Sequence, residues 1–351
     1  MIKYSYWFML AFLGLVLCGA AYYFLDTQSD YGDVVKAGSP FLEQGVLNEP
    51  ITPIPLDLKL DSRKVLLGQR LFHDAQLSGD NRISCAQCHN LATGGADGLM
   101  HPVPASGIEG MINTLTVFNS GFNFRLFWDG RAATLEDQID IKMQDSAAMG
   151  SKWTDVVAKL NGDNSYYREF ANSYKEGINP QTIMDALATY VRSLSTPNSR
   201  FDRYLRGDKH ALDSFELAGY DLFKNLGCIS CHQGRNVGGN MYERLGLVGE
   251  YFKHRGEIKE VDFGRYNVTK NESDRYEFRV PSLRNVALTS PYLHDASAST
   301  LEVAVTIMGK YQLGVDLREE EVALIVKFLN ALTGEYDGKP LSVSTQSKAL
   351  R

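Results

Sequence analysis

The residues best placed to do chemistry form two pentapeptides, Cys85-Ala-Gln-Cys88-His89 and Cys228-Ile-Ser-Cys231-His232. Two thiols at this spacing, followed at once by an imidazole, suit covalent attachment of a c-type haem. Each thiol adds to a vinyl group, and the adjacent histidine is carried beneath the ring to ligate iron. A redox dithiol, a disulfide or half of a zinc site are the alternatives. Zinc asks for a second pair nearby, whereas these pairs lie in different halves of the chain, and neither sits in a thioredoxin-like strand-to-helix context. Two such motifs on a repeated scaffold, beyond an export signal, favour two haem c groups. The fifth cysteine, Cys18, stands alone in an apolar run and reads as filler.

Each iron has a sixth position, and its occupant decides between electron transfer and chemistry. The remaining histidines are His73, His101, His210, His254 and His294. Methionine candidates include Met100, Met111, Met143, Met149, Met184, Met241 and Met308.

The elements that must position these motifs follow from the apolar spacing. Helical periodicity runs from Leu60 to Phe72, with Asp61 placed to cap the start, and recurs over Ile183–Leu194, Leu212–Phe223 and Val322–Leu332. No sustained period-2 run is present, so the chain reads as mainly α with long loops. The stretch Leu67 to His89 is echoed by Ala218 to His232: a small residue, a helix, Leu-Phe, a short connection, then the cysteine motif. Two related cytochrome c-like domains follow, joined near Ser195-Thr196-Pro197-Asn198.

With 351 residues, 44% hydrophobic and 22% charged, the composition is that of a globular chain with room for two domains. A net charge of -6 argues against a nucleic-acid partner. Residues Tyr6 to Leu25 are 20 residues without a charge, enough for a transmembrane helix. Lys3 before it and Asp26, Asp30 and Asp33 after it place the bulk of the chain outside the cytoplasm. A cleaved signal peptide is the competing reading. The expected organisation is an anchor over 1–26, a tether over 27–57 with order beginning near Leu58, a first haem domain over 58–197 and a second over 198–351. The C-terminal tail is expected to pack back on the first domain.

Several blocks together resemble the bacterial dihaem cytochrome c peroxidases and their relatives that oxidise protein substrates. They are LFHDAQLSGDNRISCAQCHN (71–90), GGADGL (94–99), TVFNSGFNFRLFWDGRAATLEDQ (116–138), GCISCHQGRNVGGNMY (227–242) and RVPSLRNVALTSPYLHDASASTLEVAVTIMGKYQLG (279–314). The resemblance implies that His89 ligates an N-terminal, peroxidatic haem and His232 a C-terminal, electron-transfer haem with Met308 as its second ligand. Methionine there raises the reduction potential; the relatives that form tryptophylquinone carry tyrosine. By the same resemblance Trp128 lies between the haems as an electron bridge, and Asn113, Thr289 and Pro291 form an inter-domain Ca2+ site.

The chain departs from this pattern on the distal side. The family's displaceable histidine falls on Ala105, with His101 four residues away. The family's acid/base glutamate, ten residues beyond the glutamine matched by Gln138, falls on Ala148, leaving Glu109 or Asp145 to substitute. The leading expectation is an H2O2-reducing peroxidase on the periplasmic side of the bacterial inner membrane, supplied with electrons by a small cytochrome c or copper protein. The alternatives are an enzyme whose high-valent haem oxidises residues of a partner protein, and a membrane-tethered dihaem electron carrier without catalytic activity. A homodimer is a further expectation.

Overall fold

The computed structural model describes residues 49–99 and 112–342. The candidate anchor, Cys18 and most of the proposed tether lie outside the described residues, as do Met100, His101, Ala105, Glu109 and Met111. Among the described residues no helix is long and apolar enough to cross a membrane.

Twelve helices order the described residues: α1 Ser62–His73, α2 Cys85–Cys88, α3 Leu135–Gln144, α4 Trp153–Asn161, α5 Asn164–Ser173, α6 Pro180–Ser193, α7 Arg200–Leu205, α8 Ser214–Asn225, α9 Tyr251–Arg255, α10 Tyr266–Thr269, α11 Leu301–Ile307 and α12 Glu319–Ala331. Strand content is small. Strand β1 (Tyr242–Arg244) pairs antiparallel with β2 (Glu277–Arg279), and β3 (Glu335–Tyr336) with β4 (Lys339–Pro340). The helical periodicities of the sequence correspond to α1, α6, α8 and α12. Asp61 caps α1 as expected, accepting from the Arg63 N–H at 2.9 Å.

The two halves share one packing device. In α1, Gly68 lies against α6: an added Cβ would sit 2.0 Å from the Ala186 carbonyl oxygen. In α8, Gly219 lies against α12, with the Leu324 carbonyl oxygen at 2.0 Å from such a Cβ. The glycines occupy equivalent places in the sequence repeat, three residues before Leu71-Phe72 and Leu222-Phe223. Each permits a helix crossing too close for any side chain, and the cysteine motif follows that helix.

Around the first crossing Leu71, Phe72, Leu135, Tyr166, Phe170 and Leu187 form one buried cluster. Phe201, Tyr220, Phe223, Val305, Ile325 and Phe328 belong to another around the second. Tyr336 and Leu341 of the C-terminal tail pack on the first cluster. Trp128, Tyr251, Phe252 and Phe278 form a smaller third cluster.

One expectation is corrected. Order begins well before Leu58: Ile51 and Ile54 are buried, and Glu49–Asp57 is a strap on the second cluster rather than tether. Its backbone is satisfied by distant partners, with Ile54 N–H donating to Asp202 Oδ1 at 3.2 Å and Arg284 Nη2 to the Thr52 carbonyl at 3.1 Å. Pattern reading missed it because the run is rich in proline and too short for periodicity. The connection at Ser195–Asn198 is equally fixed. Thr196 Oγ1 accepts from Asn119 Nδ2 at 2.7 Å and Asn285 Nδ2 at 2.9 Å, one from each half.

Replacing Gly68 or Gly219 by alanine is expected to cost about 1–3 kcal/mol through overpacking, lowering the melting temperature of the holoprotein by several degrees. Gly162→Ala, where a Cβ finds only contacts of 3.4 Å and beyond, should leave it nearly unchanged. Thermal melts showing equal effects at all three positions would sink this account of the crossings.

Candidate functional site

The C-terminal motif is set by the end of α8. Gly227, at φ 95°, turns the chain into the short helical turn Cys228–Ser230, and Cys228, Cys231, His232 and Met308 then line one cavity. That cavity encloses about 1550 Å3 of atom-free space, counting the part open to solvent, and most of its wall is apolar. Met308 is brought to it by α11 and begins a π-helical segment, Met308–Leu313, a local rewinding common at functional sites.

The His232 ring is fixed from behind, with Nδ1 3.4 Å from the Val237 carbonyl oxygen. In the neutral tautomer that donates there, Nε2 carries the lone pair. Burial pushes this imidazole down to about 4, so it is neutral at physiological pH, as an iron ligand must be. Gly238, at φ 124°, closes the loop where an added Cβ would stand 2.2 Å from the Pro281 carbonyl oxygen and 3.3 Å from His232 Nδ1. Burial pushes the Cys228 thiol up to about 11. It also raises Cys231, helped by the Glu243 carboxylate, whose Oε2 is 3.9 Å from the sulfur. Half-buried thiols held protonated are poor redox dithiols and poor zinc ligands. Two such thiols, a neutral imidazole and a thioether around an apolar cavity fit a covalently held haem c with His/Met ligation.

The N-terminal motif repeats the arrangement. The thiols stand at the ends of α2, where the Ser84 N–H donates to Gln87 Oε1 at 2.9 Å. His89 Nδ1 lies 3.3 Å from the Gly95 carbonyl oxygen, and burial lowers this imidazole too. Burial pushes Cys85 up to about 12 and raises Cys88 as well. Gly95, at φ 76°, carries the carbonyl behind His89, and a Cβ there would meet Thr116 Oγ1 at 2.7 Å. These residues fit a second haem c.

Gln138 and Asp145 lie on and just after α3. Burial raises the Asp145 carboxyl, but the Lys142 ammonium at 2.9 Å and the Ala147 N–H outweigh it, so the group sits below its ordinary range. Asp145 is therefore held as a carboxylate, suited to accept a proton or balance a charge and poorly suited to donate one. His101 and Glu109, the other distal candidates, lie outside the described residues.

Trp128 is buried and lines the C-terminal cavity. Its indole Nε1 donates to the Asn113 carbonyl at 2.9 Å, and its ring stands edge-on to Phe278 and His294 at centroid distances of 6.5 and 6.4 Å. Asn113 joins the halves: its N–H donates to the His294 carbonyl at 2.7 Å, and Nδ2 to the Pro291 and Leu293 carbonyls at 2.7 and 3.0 Å. Thr289 lines the same cavity, its Oγ1 donating to the Val286 carbonyl at 3.2 Å.

Two buried features were not singled out from sequence. His294 is no free ligand candidate, because Nε2 pairs with Asp262 Oδ1 at 2.6 Å and Arg255 binds both Asp262 and Asp295. Asp262, His294 and Asp295 cluster as metal ligands could, but Arg255 already neutralises both carboxylates. Arg279 also lines the cavity, 2% exposed. A charged residue between Phe278 and Val280 was the available sequence signal.

The family described as "Di-haem cytochrome c peroxidase" matches residues 62–210. The chain is 47% identical over 290 residues to "Cytochrome c peroxidase Ccp" of Escherichia coli (strain K12), covering 82% of this chain and 62% of that protein's length. It is 41% identical over 305 residues to "Cytochrome c551 peroxidase" of Nitrosomonas europaea, covering 86% of this chain and 90% of the relative. Among solved structures, a MauG-like protein associated with microbial copper homeostasis superposes with a TM-score of 0.71 at 28% identity, covering 81% of this chain and 93% of that one.

If both motifs hold haem, Cys85→Ala/Cys88→Ala and Cys228→Ala/Cys231→Ala variants should each retain one covalent haem per chain. Denaturing mass spectrometry reads this directly. Two covalent haems surviving in either variant would contradict the assignment.

Proposed function

We propose that this chain, which belongs to the di-haem cytochrome c peroxidase family, reduces H2O2 to water at the His89 site with electrons relayed through the His232/Met308 site from a small periplasmic cytochrome c or copper protein. Membership of the family implies two haem c groups, which when bound supply one-electron redox chemistry and an iron centre able to take peroxide. The observation that carries the reading is the convergence of His232, Met308 and Trp128 on one cavity. Methionine at 308 favours it over oxidation of a partner protein.

The chain's own residues divide the work. The Gly95 and Val237 carbonyls orient the two imidazoles. Trp128 contributes a π system between the halves, pinned by Asn113 so that its ring plane is fixed relative to the second site. Lys142 holds the Asp145 carboxylate ionised at the end of α3, leaving it able to accept a proton. Met308 supplies a soft thioether, which stabilises reduced iron and suits a site that stores an electron.

The calcium assignment is part of the proposal. Asn113, Thr289 and Pro291 stand together at the junction. Turning the Asn113 amide about its own axis would present Oδ1 beside the Pro291 carbonyl, an oxygen pair suited to a hard cation. The charge-free run Tyr6–Leu25 supports placing the chain on the periplasmic face of the inner membrane, anchored by that segment.

Steady-state oxidation of a reduced small cytochrome by H2O2 tests the activity. The holoprotein should turn over, and Trp128→Phe should slow donor oxidation about tenfold or more with both haems retained. Inert wild-type haems of unchanged spectrum after peroxide would leave an electron carrier instead. Calcium chelation should depress the same turnover, with recovery on re-addition of Ca2+; indifference to chelator would remove calcium from the scheme.

A further inference from the structure

The C-terminal cavity holds a buried cation that no carboxylate among the described residues neutralises. Arg279 is 2% exposed, and its side chain donates only to neutral backbone oxygens, Nε to Phe127 at 3.2 Å and Nη1 to Val280 at 3.3 Å. Among the described residues no carboxylate pairs with it. Arg284, five residues on and on the same cavity wall, shows the contrast: it is fully buried too, but Asp202 Oδ1 lies 2.9 Å from its Nη1. Burial lowers the Arg279 guanidinium to about 10, which leaves it charged at physiological pH. An unpaired buried charge is strongly unfavourable, so its presence on this wall calls for an anion brought by whatever fills the cavity.

We propose that Arg279 is the counter-ion of a carboxylate on the group held by Cys228, Cys231 and His232, a haem propionate. The inference rests on the haem reading of that cavity and deepens it. It assigns Arg279 as a positioning residue, acting through charge and through the backbone. The Arg279 N–H donates to the Trp128 carbonyl at 2.8 Å, and its Nε to the preceding carbonyl of Phe127. One residue therefore grips both the acidic edge of the bound group and the main chain of the proposed electron bridge. A guanidinium beside the ring's carboxylate also offsets negative charge near the iron, which favours the reduced state in the half where an electron is to be stored.

The test is a redox titration of the full-length holoprotein, following the optical spectra of the two haems separately. In Arg279→Gln the C-terminal midpoint should fall, the reduced-to-oxidised ratio at a fixed potential dropping about tenfold, equivalent to about 59 mV for one electron. The N-terminal midpoint should hold, and Arg279→Lys should restore most of the shift. An unmoved C-terminal midpoint in Arg279→Gln overturns the proposal. So does a Lys variant that falls as far as Gln, since the effect would then come from packing rather than charge. If the Gln variant does not fold, the Lys variant decides alone, a shift of tenfold or more counting against the proposal. Failure of the underlying haem reading is distinguishable, because wild-type protein would then lack a second covalent haem by mass.

Discussion

The structure depends on two helix crossings tight enough to exclude every side chain but hydrogen. At Gly68 and Gly219 one helix lies on the backbone of another, and the cysteine motif that follows inherits its position from that contact. Close packing of this kind leaves little room for adjustment, because a single added methyl must displace main chain. The same restriction appears at Gly238 and Gly95, where the backbone passes behind an imidazole. Four glycines thus fix where two histidines point, and the chemistry of the sites follows from those placements.

The halves are joined by the apolar cluster around Trp128 and by directed polar contacts. Asn119 and Asn285 both adopt a left-handed backbone at φ 59° and both donate to Thr196 Oγ1, so the connecting segment is clasped from each side. Asn113 performs a second clasp, donating to three carbonyls of the 291–294 loop while accepting from Trp128. Buried hydrogen bonds of this sort add modest net stability but penalise every arrangement that leaves them unmade. Their effect is to hold a particular spacing between the two sites, as the proposed relay of electrons requires.

Much of this was legible in the sequence. Helices α1, α6, α8 and α12 announce themselves by apolar spacing, the repeat by its Leu-Phe and cysteine motifs, and the α1 cap by Asp61. The strap at Glu49–Asp57 was not legible, because extended segments carry no period and its partners, Asp202 and Arg284, are remote in sequence. The Arg255–Asp262–His294 group was hidden for the same reason: each member is an ordinary surface-type residue until the fold buries it. Arg279 was visible as a residue in a resembling block, but its isolation from the carboxylates of the described residues emerges only in three dimensions.

Two halves built alike need not work alike, and their electrostatics differ in the way the proposed division of labour requires. Burial and backbone carbonyls alone shift the His232 imidazole, with no charged side chain acting on it. His89 is likewise half-buried, yet the charges of Asp97 and Lys142 both act on it, and Lys142 is itself paired with Asp145. Reducing peroxide consumes protons and benefits from ionisable groups within reach, whereas passing an electron is best served by a rigid, low-dielectric surround that does not reorganise. The repeat supplies one scaffold twice, and the side chains around each imidazole differ in a way that matches the proposed assignment of chemistry to one copy and conduction to the other.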